Sequence, residues 1–271
     1  MKTIAVIPAR MGSTRFPGKP LAKLLDGTML EHVYKRVALS RSLDTTYIAT
    51  CDEEIRRAAE DFGAPVIMTA DTHERASDRV AEAVAEIDAE LIVMVQGDEP
   101  MTHPEMVDAA IEPFRHDPEL GCVNLVRPID NQADFSDFNT IKVVMDQCGN
   151  ALYMSRQPIP TISSSSQANF PFPMALAFKQ VCIIPFRRQV LLEFARLPST
   201  PLEKLESVDM LRLLEHGYRV KMVRTEFNTQ AVDTQADLER VAALMKTDPL
   251  LPLYMESTWS IQPHSSGSLK G

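Results

Sequence analysis

Residues 3–20 read Thr3-Ile4-Ala5-Val6-Ile7-Pro8-Ala9-Arg10-Met11-Gly12-Ser13-Thr14-Arg15-Phe16-Pro17-Gly18-Lys19-Pro20. The run 3–9 is short and almost wholly apolar, which marks a strand buried on both faces, as in a parallel sheet. It ends in a loop that carries Gly12 and Gly18 together with Arg10, Arg15 and Lys19. A loop after the first strand of such a sheet sits at the carboxyl edge, where ligands bind. The two glycines let the backbone turn its N–H groups toward an anion, and Ser13 adds a hydroxyl donor. The three cations suit a triphosphate. The spacing is not that of a Walker A loop: five residues separate Gly12 from Gly18, and Lys19 precedes Pro20 rather than Ser or Thr. A P-loop NTPase is disfavoured on that ground, and a solvated basic turn is the plain alternative.

Beyond this loop, residues 29–40 have helical spacing, with Leu30, Val33, Tyr34 and Val37 on one stripe. Strands are expected at 45–50, 65–69 and 91–95, and helices at 52–62 and 77–87, the latter with Ser77 as N-cap. Strand alternating with helix predicts a doubly wound, mostly parallel α/β sheet with right-handed crossovers. After about residue 120 the alternation weakens. There, strands are expected at 122–127, 140–145, 151–154, 179–184 and 219–224, and helices at 203–216 and 237–246. Residues 161–173 hold the serine run 163–166 among prolines and read as a flexible loop. The last twenty or so residues lack periodicity and read as a loosely held tail or an oligomer arm.

With 45% hydrophobic residues among 271, the chain can bury a core without a disulfide or metal staple. A net charge of -9 repels phosphate backbones, so broad nucleic-acid binding is not expected. A single nucleotide could still sit among the cations of 10–19. Cys51, Cys122, Cys148 and Cys182 are scattered with no C-x-x-C spacing, which fits reduced thiols and a cytoplasmic location. No run reaches the roughly 18 apolar residues of a membrane span, and no membrane partner is expected.

The loop at 8–20, together with Val95-Gln96-Gly97-Asp98-Glu99-Pro100, resembles the cytidylyltransferases that make CMP-sugar acids. It is most similar to the 3-deoxy-manno-octulosonate (Kdo) cytidylyltransferases. The similarity continues in Lys142-Val143-Val144, Ala151-Leu152-Tyr153-Met154-Ser155-Arg156, Pro201-Leu202-Glu203 and Ala231-Val232-Asp233-Thr234. It implies a nucleotidyltransferase domain over 1–246, a small β-rich dimerisation lobe at about 120–200 and a tail at 247–271. It also implies that CMP passes from CTP to a small acidic acceptor, with Mg²⁺ as cofactor and release of pyrophosphate. The expected partners are CTP, that acid and a second copy of the chain.

In this reading Arg10, Lys19, Asp98 and Asp233 are catalytic, and the two aspartates hold Mg²⁺ with substrate phosphates. Ala9, Arg10, Gly12, Ser13, Arg15, Lys19, Ala76, Arg79, Gln96 and Asp98 bind the nucleotide. Gln96, Arg156, Gln180, Ile184 and Glu206 bind the acceptor, Arg156 through its carboxylate. A turn or helix cap is the plain reading of either aspartate alone, and a surface ion pair that of Arg156.

Two stretches depart from the resemblance. Arg75-Ala76-Ser77-Asp78-Arg79 stands where the family has Ser-Gly-Thr-Glu-Arg, and Arg75 is a new cation, read plainly as a solvated loop residue. Lys179-Gln180-Val181-Cys182-Ile183-Ile184 stands for Lys-His-Leu-Gly-Ile-Tyr, so a histidine and a tyrosine facing the sugar become Gln180 and Ile184. A Kdo-like acid remains the first expectation. Its alternatives are a different acid, a nonulosonic acid or a phosphonate, and a non-catalytic nucleotide sensor.

Overall fold

Strand β1 (Thr3–Pro8) lies at the centre of a parallel sheet and is buried along nearly its whole length. Ile4 and Val6 enter one apolar core while Ala5 and Ile7 enter another, so the unbroken apolar run reflects two covered faces. The computed structural model describes residues 1–12, 16–161 and 177–255. The further strands are β2 (Lys23–Leu24), β3 (Gly27–Thr28), β4 (Thr45–Thr50), β5 (Val66–Met68), β6 (Leu91–Val95), β7 (Val123–Pro128), β8 (Lys142–Met145), β9 (Ala151–Ser155), β10 (Phe178–Val181), β11 (Ile183–Arg187) and β12 (Lys221–Arg224). The helices are α1 (Met29–Ala38), α2 (Glu53–Asp61), α3 (Ala76–Ala83), α4 (Pro104–Ile111), α5 (Pro113–His116), α6 (Gln132–Ser136), α7 (Arg188–Phe194), α8 (Pro201–Glu206), α9 (Met210–Glu215), α10 (Gln235–Met245) and α11 (Leu251–Met255).

The first sheet has the order β11-β6-β1-β4-β5, with β4, β5 and β6 parallel to β1 and β11 antiparallel at the edge. The mostly parallel α/β architecture expected from the alternation is therefore present. Strands β4 and β6 flank β1 on opposite sides, so the loops after β1 and β6 diverge at their carboxyl ends and open a crevice. A second sheet, β12-β7-β10-β8-β9, is antiparallel except for the β12–β7 pair. The bridge between Cys122 and Phe186 joins the two sheets at β11. Helix α1 opens with a capping box, Thr28 accepting from the Glu31 N–H and Glu31 from the Thr28 N–H.

Three expectations need correction. The run 179–184 is not one strand: the chain leaves the second sheet at Cys182 and enters the first as β11. Apolar content continued through the crossing and hid it. The stretch 203–216 is two helices, broken at Ser207, whose φ is 52. Ser77 does not cap α3, which starts at Ala76. Its Oγ donates instead to Asp209, 2.6 Å away.

The terminal stretch also differs from a loosely held tail as far as residue 255. Tyr254 is fully buried and its hydroxyl meets His32 Nδ1 and Arg36 Nε, each at 3.0 Å. Arg36 also pairs with Asp248. His32 Nε2 lies 2.7 Å from the Leu24 carbonyl, which only accepts, so Nε2 carries the proton. Nδ1 then accepts from the tyrosine hydroxyl, whose oxygen accepts from Arg36. The serine run 163–166 and residues 256–271 lie outside the described residues.

Tyr254→Phe leaves the Arg36 N–H and His32 Nδ1 without this partner and should lower the unfolding free energy by about 1–3 kcal/mol in urea titration. Burial lowers the His32 pKa below its ordinary value. The stabilisation from neutral His32 is therefore full above the unfolded value near ~6.5 and is lost as pH falls toward the folded one. Between pH 7 and 5 the wild type should lose stability more steeply than His32→Gln, by up to about 1.4 kcal/mol per pH unit. Parallel pH curves for the two proteins would overturn the assignment.

Candidate active site

The loop after β1 is shaped by Gly18, whose φ of 70 belongs to the left-handed region that a side chain disfavours. Gly18 donates to the Met11 carbonyl at 3.2 Å, and Met11 N–H donates to Asp52 at 2.8 Å. These two N–H groups close the loop rather than face an anion, contrary to the expectation for Gly18. The turn delivers Lys19 to the sheet edge. Opposite, the loop after β6 approaches so closely that a Cβ on Gly97 would meet Ile7 and the Pro8 carbonyl at 3.3 Å each. Gly97 thus lets Asp98 sit beside the first loop. Val232 N–H donates to the Asp98 carbonyl at 2.9 Å and brings Asp233 to the same place.

Three loops therefore converge on one ammonium. Lys19 Nζ lies 3.0 Å from Asp98 Oδ2 and 3.2 Å from Asp233 Oδ1. Burial works against the Lys19 charge, but the two carboxylates outweigh it and hold its pKa above the ordinary value. Next to them Glu99 is buried, and desolvation pushes its carboxyl up to about 7. Among the described residues no cluster of three His, Cys, Asp or Glu side chains could hold a metal. Two hard oxygen donors at a partly exposed edge are, however, the share a protein contributes when substrate phosphates and water complete the shell.

Lys19, Asp98 and Asp233 line a cleft of about 490 Å³. From the nucleotide set it takes Ala9, Arg10, Gly12, Lys19, Ala76, Arg79, Gln96 and Asp98, and Asp233 joins them. Arg10 is exposed and has no hydrogen-bond partner among the described residues. Arg79 is buried and donates to the Thr69 hydroxyl and the Ala70 carbonyl, so it fixes the end of β5. Ser13 and Arg15 lie outside the described residues.

From the set expected to bind the acceptor the cleft takes Gln96, Arg156, Gln180 and Ile184. Arg156 donates to the carbonyls of Glu206, Phe138 and Ser207, which leaves two of its five N–H groups uncommitted among the described residues. Ile184 is only 3% exposed and forms apolar wall. Glu206 is a correction. It does not line the cleft, because its carboxylate accepts from Tyr153, Ser155 and the Arg156 N–H. It holds the end of β9 and so the backbone of Arg156.

Arg75 is a second correction, since it is not a solvated loop residue. It lines the cleft, donates to Ser207 Oγ at 2.9 Å and lies 3.5 Å from Asp209. Asp209 and Asn124 were not singled out from the sequence. Each depends on partners more than fifty residues away, which no local motif signals.

The chain matches the cytidylyltransferase family model over residues 4–252. It is 45% identical over 249 residues to the 3-deoxy-manno-octulosonate cytidylyltransferase of Solibacter usitatus, covering 92% of this chain and 96% of that one. The corresponding protein of Syntrophotalea carbinolica is 43% identical, with 91% and 99% covered. The solved structure of CMP:2-keto-3-deoxy-manno-octonic acid synthetase complexed with CTP superposes with a TM-score of 0.83 at 36% identity, over 91% of this chain and 99% of that one. A match of this extent, over a cleft built from the same loops that carried the sequence resemblance, makes the chain a member of the cytidylyltransferase family.

Proposed function

We propose that the chain transfers CMP from CTP to Kdo and releases pyrophosphate. The observation that carries this reading is the convergence of Lys19, Asp98 and Asp233 in one cleft with the exposed cation Arg10, in a chain 45% identical to a Kdo cytidylyltransferase. In the reaction a hydroxyl oxygen of the acid bonds to the α-phosphorus and loses its proton. The bond from that phosphorus to its bridging oxygen breaks, and pyrophosphate leaves. Such a transfer needs alignment and neutralised charge more than a covalent nucleophile. Arg10 and Lys19 neutralise the phosphates, and Arg156 directs its uncommitted N–H groups to the acceptor's carboxylate. Asp98 and Asp233 are the residues that would hold Mg²⁺, which supplies charge neutralisation at the phosphates.

The same reading makes the chain a homodimer joined through its second sheet, whose edge strand β9 exposes Leu152 at 62%. It also makes it a cytoplasmic enzyme, supported by four unpaired cysteines. No helix among the described residues is long and apolar enough to cross a membrane.

Pyrophosphate release from CTP with Mg²⁺ and Kdo is the direct test, and no release above the acceptor-free rate would overturn the proposal. Asp98→Asn and Asp233→Asn should each lower kcat by about 10²–10³ while melting near the wild-type temperature. EDTA should abolish turnover, and added Mg²⁺ restore it; a rate indifferent to EDTA would remove the metal role. Across the four ribonucleoside triphosphates, CTP should lead in kcat/KM by more than about ten-fold. A preference for ATP or GTP would leave nucleotidyl transfer standing but not cytidylyl transfer.

A further inference from the structure

We infer that Asn124 is a specificity-determining positioning residue: it turns the Gln180 amide so that its carbonyl oxygen, Oε1, faces the cleft and accepts a hydrogen bond from a hydroxyl of the acceptor. The inference rests on the proposed function and adds to it which part of the acid lies against this wall.

Asn124 is fully buried in β7. Its Nδ2 donates to the Leu125 carbonyl at 2.9 Å and the Val181 carbonyl at 2.8 Å. A carbonyl oxygen only accepts, so the amide nitrogen must occupy that side and Oδ1 the other. Facing Oδ1 at 2.5 Å is the side chain of Gln180 on the neighbouring strand β10. An acceptor there admits only the donor end of that amide, Nε2. Two carbonyls thus fix Asn124, and Asn124 fixes Gln180, which closes the usual ambiguity between amide oxygen and nitrogen. Gln180 is also held through its backbone, whose N–H donates to the Ile141 carbonyl at 2.9 Å.

What remains is Oε1. It has no hydrogen-bond partner among the described residues, and Gln180 is half-buried on the cleft wall. The same cleft is lined by the apolar side chains of Ile141, which precedes Lys142 beside β10, and of Cys182 and Ile184, which follow Gln180 in the chain. A substrate hydroxyl placed there gains a bond, whereas a deoxy analogue leaves Oε1 facing carbon. A carboxylate offers no proton to Oε1, so the acid group of the same molecule is turned away from this wall. Arg156 and Arg75 receive it, because both guanidiniums reach Ser207, one at its carbonyl and one at its hydroxyl.

The test combines kinetics with an observation that needs no turnover. Gln180→Leu should raise KM for Kdo roughly ten-fold and leave KM for CTP unchanged. Among mono-deoxy analogues of Kdo, the wild type should reject one by roughly ten-fold, and Gln180→Leu should treat that analogue and the parent acid alike. Asn124→Ala should blunt the same discrimination. In ¹⁵N NMR of the wild type, a Gln180 side-chain N–H should exchange with water more slowly than exposed glutamine amides, and Asn124→Ala should abolish that protection. An unprotected Gln180 amide, or a Gln180→Leu variant that keeps the wild-type KM and deoxy pattern, overturns the inference. Absence of any transfer to Kdo by the wild type overturns the proposed function instead, and Gln180 protection then decides the inference alone.

Discussion

One ammonium between two carboxylates organises the ligand edge of this molecule. Lys19, Asp98 and Asp233 come from three loops, and the hydrogen bonds at Lys19 Nζ span 79 and 214 residues of sequence. Two carboxylates brought together at a partly buried edge repel one another, and a cation between them reverses the sign of that interaction. The apolar cluster of Leu24, Met29, Val232, Leu238 and Val241 packs the first loop against the segment that bears Asp233. Without it the charges would lose the fixed spacing on which their mutual stabilisation depends. The buried knot of His32, Arg36, Asp248 and Tyr254 ties α11 to α1, beside the same loop. Fold and site thus share one set of contacts.

The parallel half of the fold was legible because its determinants are local. An apolar run such as Leu91–Val95 is buried throughout, and a periodic stripe such as Leu30, Val33, Tyr34 and Val37 faces one core. The second half was legible only in part. The crossing at Cys182 and the kink at Ser207 break elements whose composition does not change across the break. The resemblance located Lys19, Asp98 and Asp233, which the cleft does bring together. It could not reveal that the Glu206 carboxylate is taken up by Tyr153, Ser155 and the Arg156 N–H, about fifty residues away along the chain. Arg75 was visible as an extra cation, yet its engagement with Ser207 and Asp209 follows from tertiary proximity alone.

The part of the cleft that bears Arg156 and Gln180 is built on a different principle from the part that bears Lys19. Lys142 is fully buried and gives its ammonium to the carbonyls of Asp137, Thr140 and Arg156, at 2.7, 2.7 and 2.6 Å. Desolvation lowers its pKa, and three oriented carbonyls supply the solvation that water would have given. These bonds gather the segment around 137–140 and the backbone of Arg156 onto one point. The Glu206 carboxylate holds Arg156 from the opposite direction through its N–H. A guanidinium based on so fixed a backbone has little freedom left to lose on binding.

That contrast fits the chemistry of an in-line transfer. On the proposed function the Lys19 side accepts a highly charged ligand, which suits charges that are partly exposed and pair with one another. The partners of Lys19 are two side chains rather than a buried ladder, so its ammonium is the more easily re-paired. On the same proposal the Arg156 side carries no such charge reorganisation. It holds one oxygen on line with phosphorus, where small misplacements cost large factors in rate. Bonds made to backbone carbonyls, as by Lys142, Arg156 and Asn124, serve that end, because each ties a side chain to main chain from a different part of the sequence.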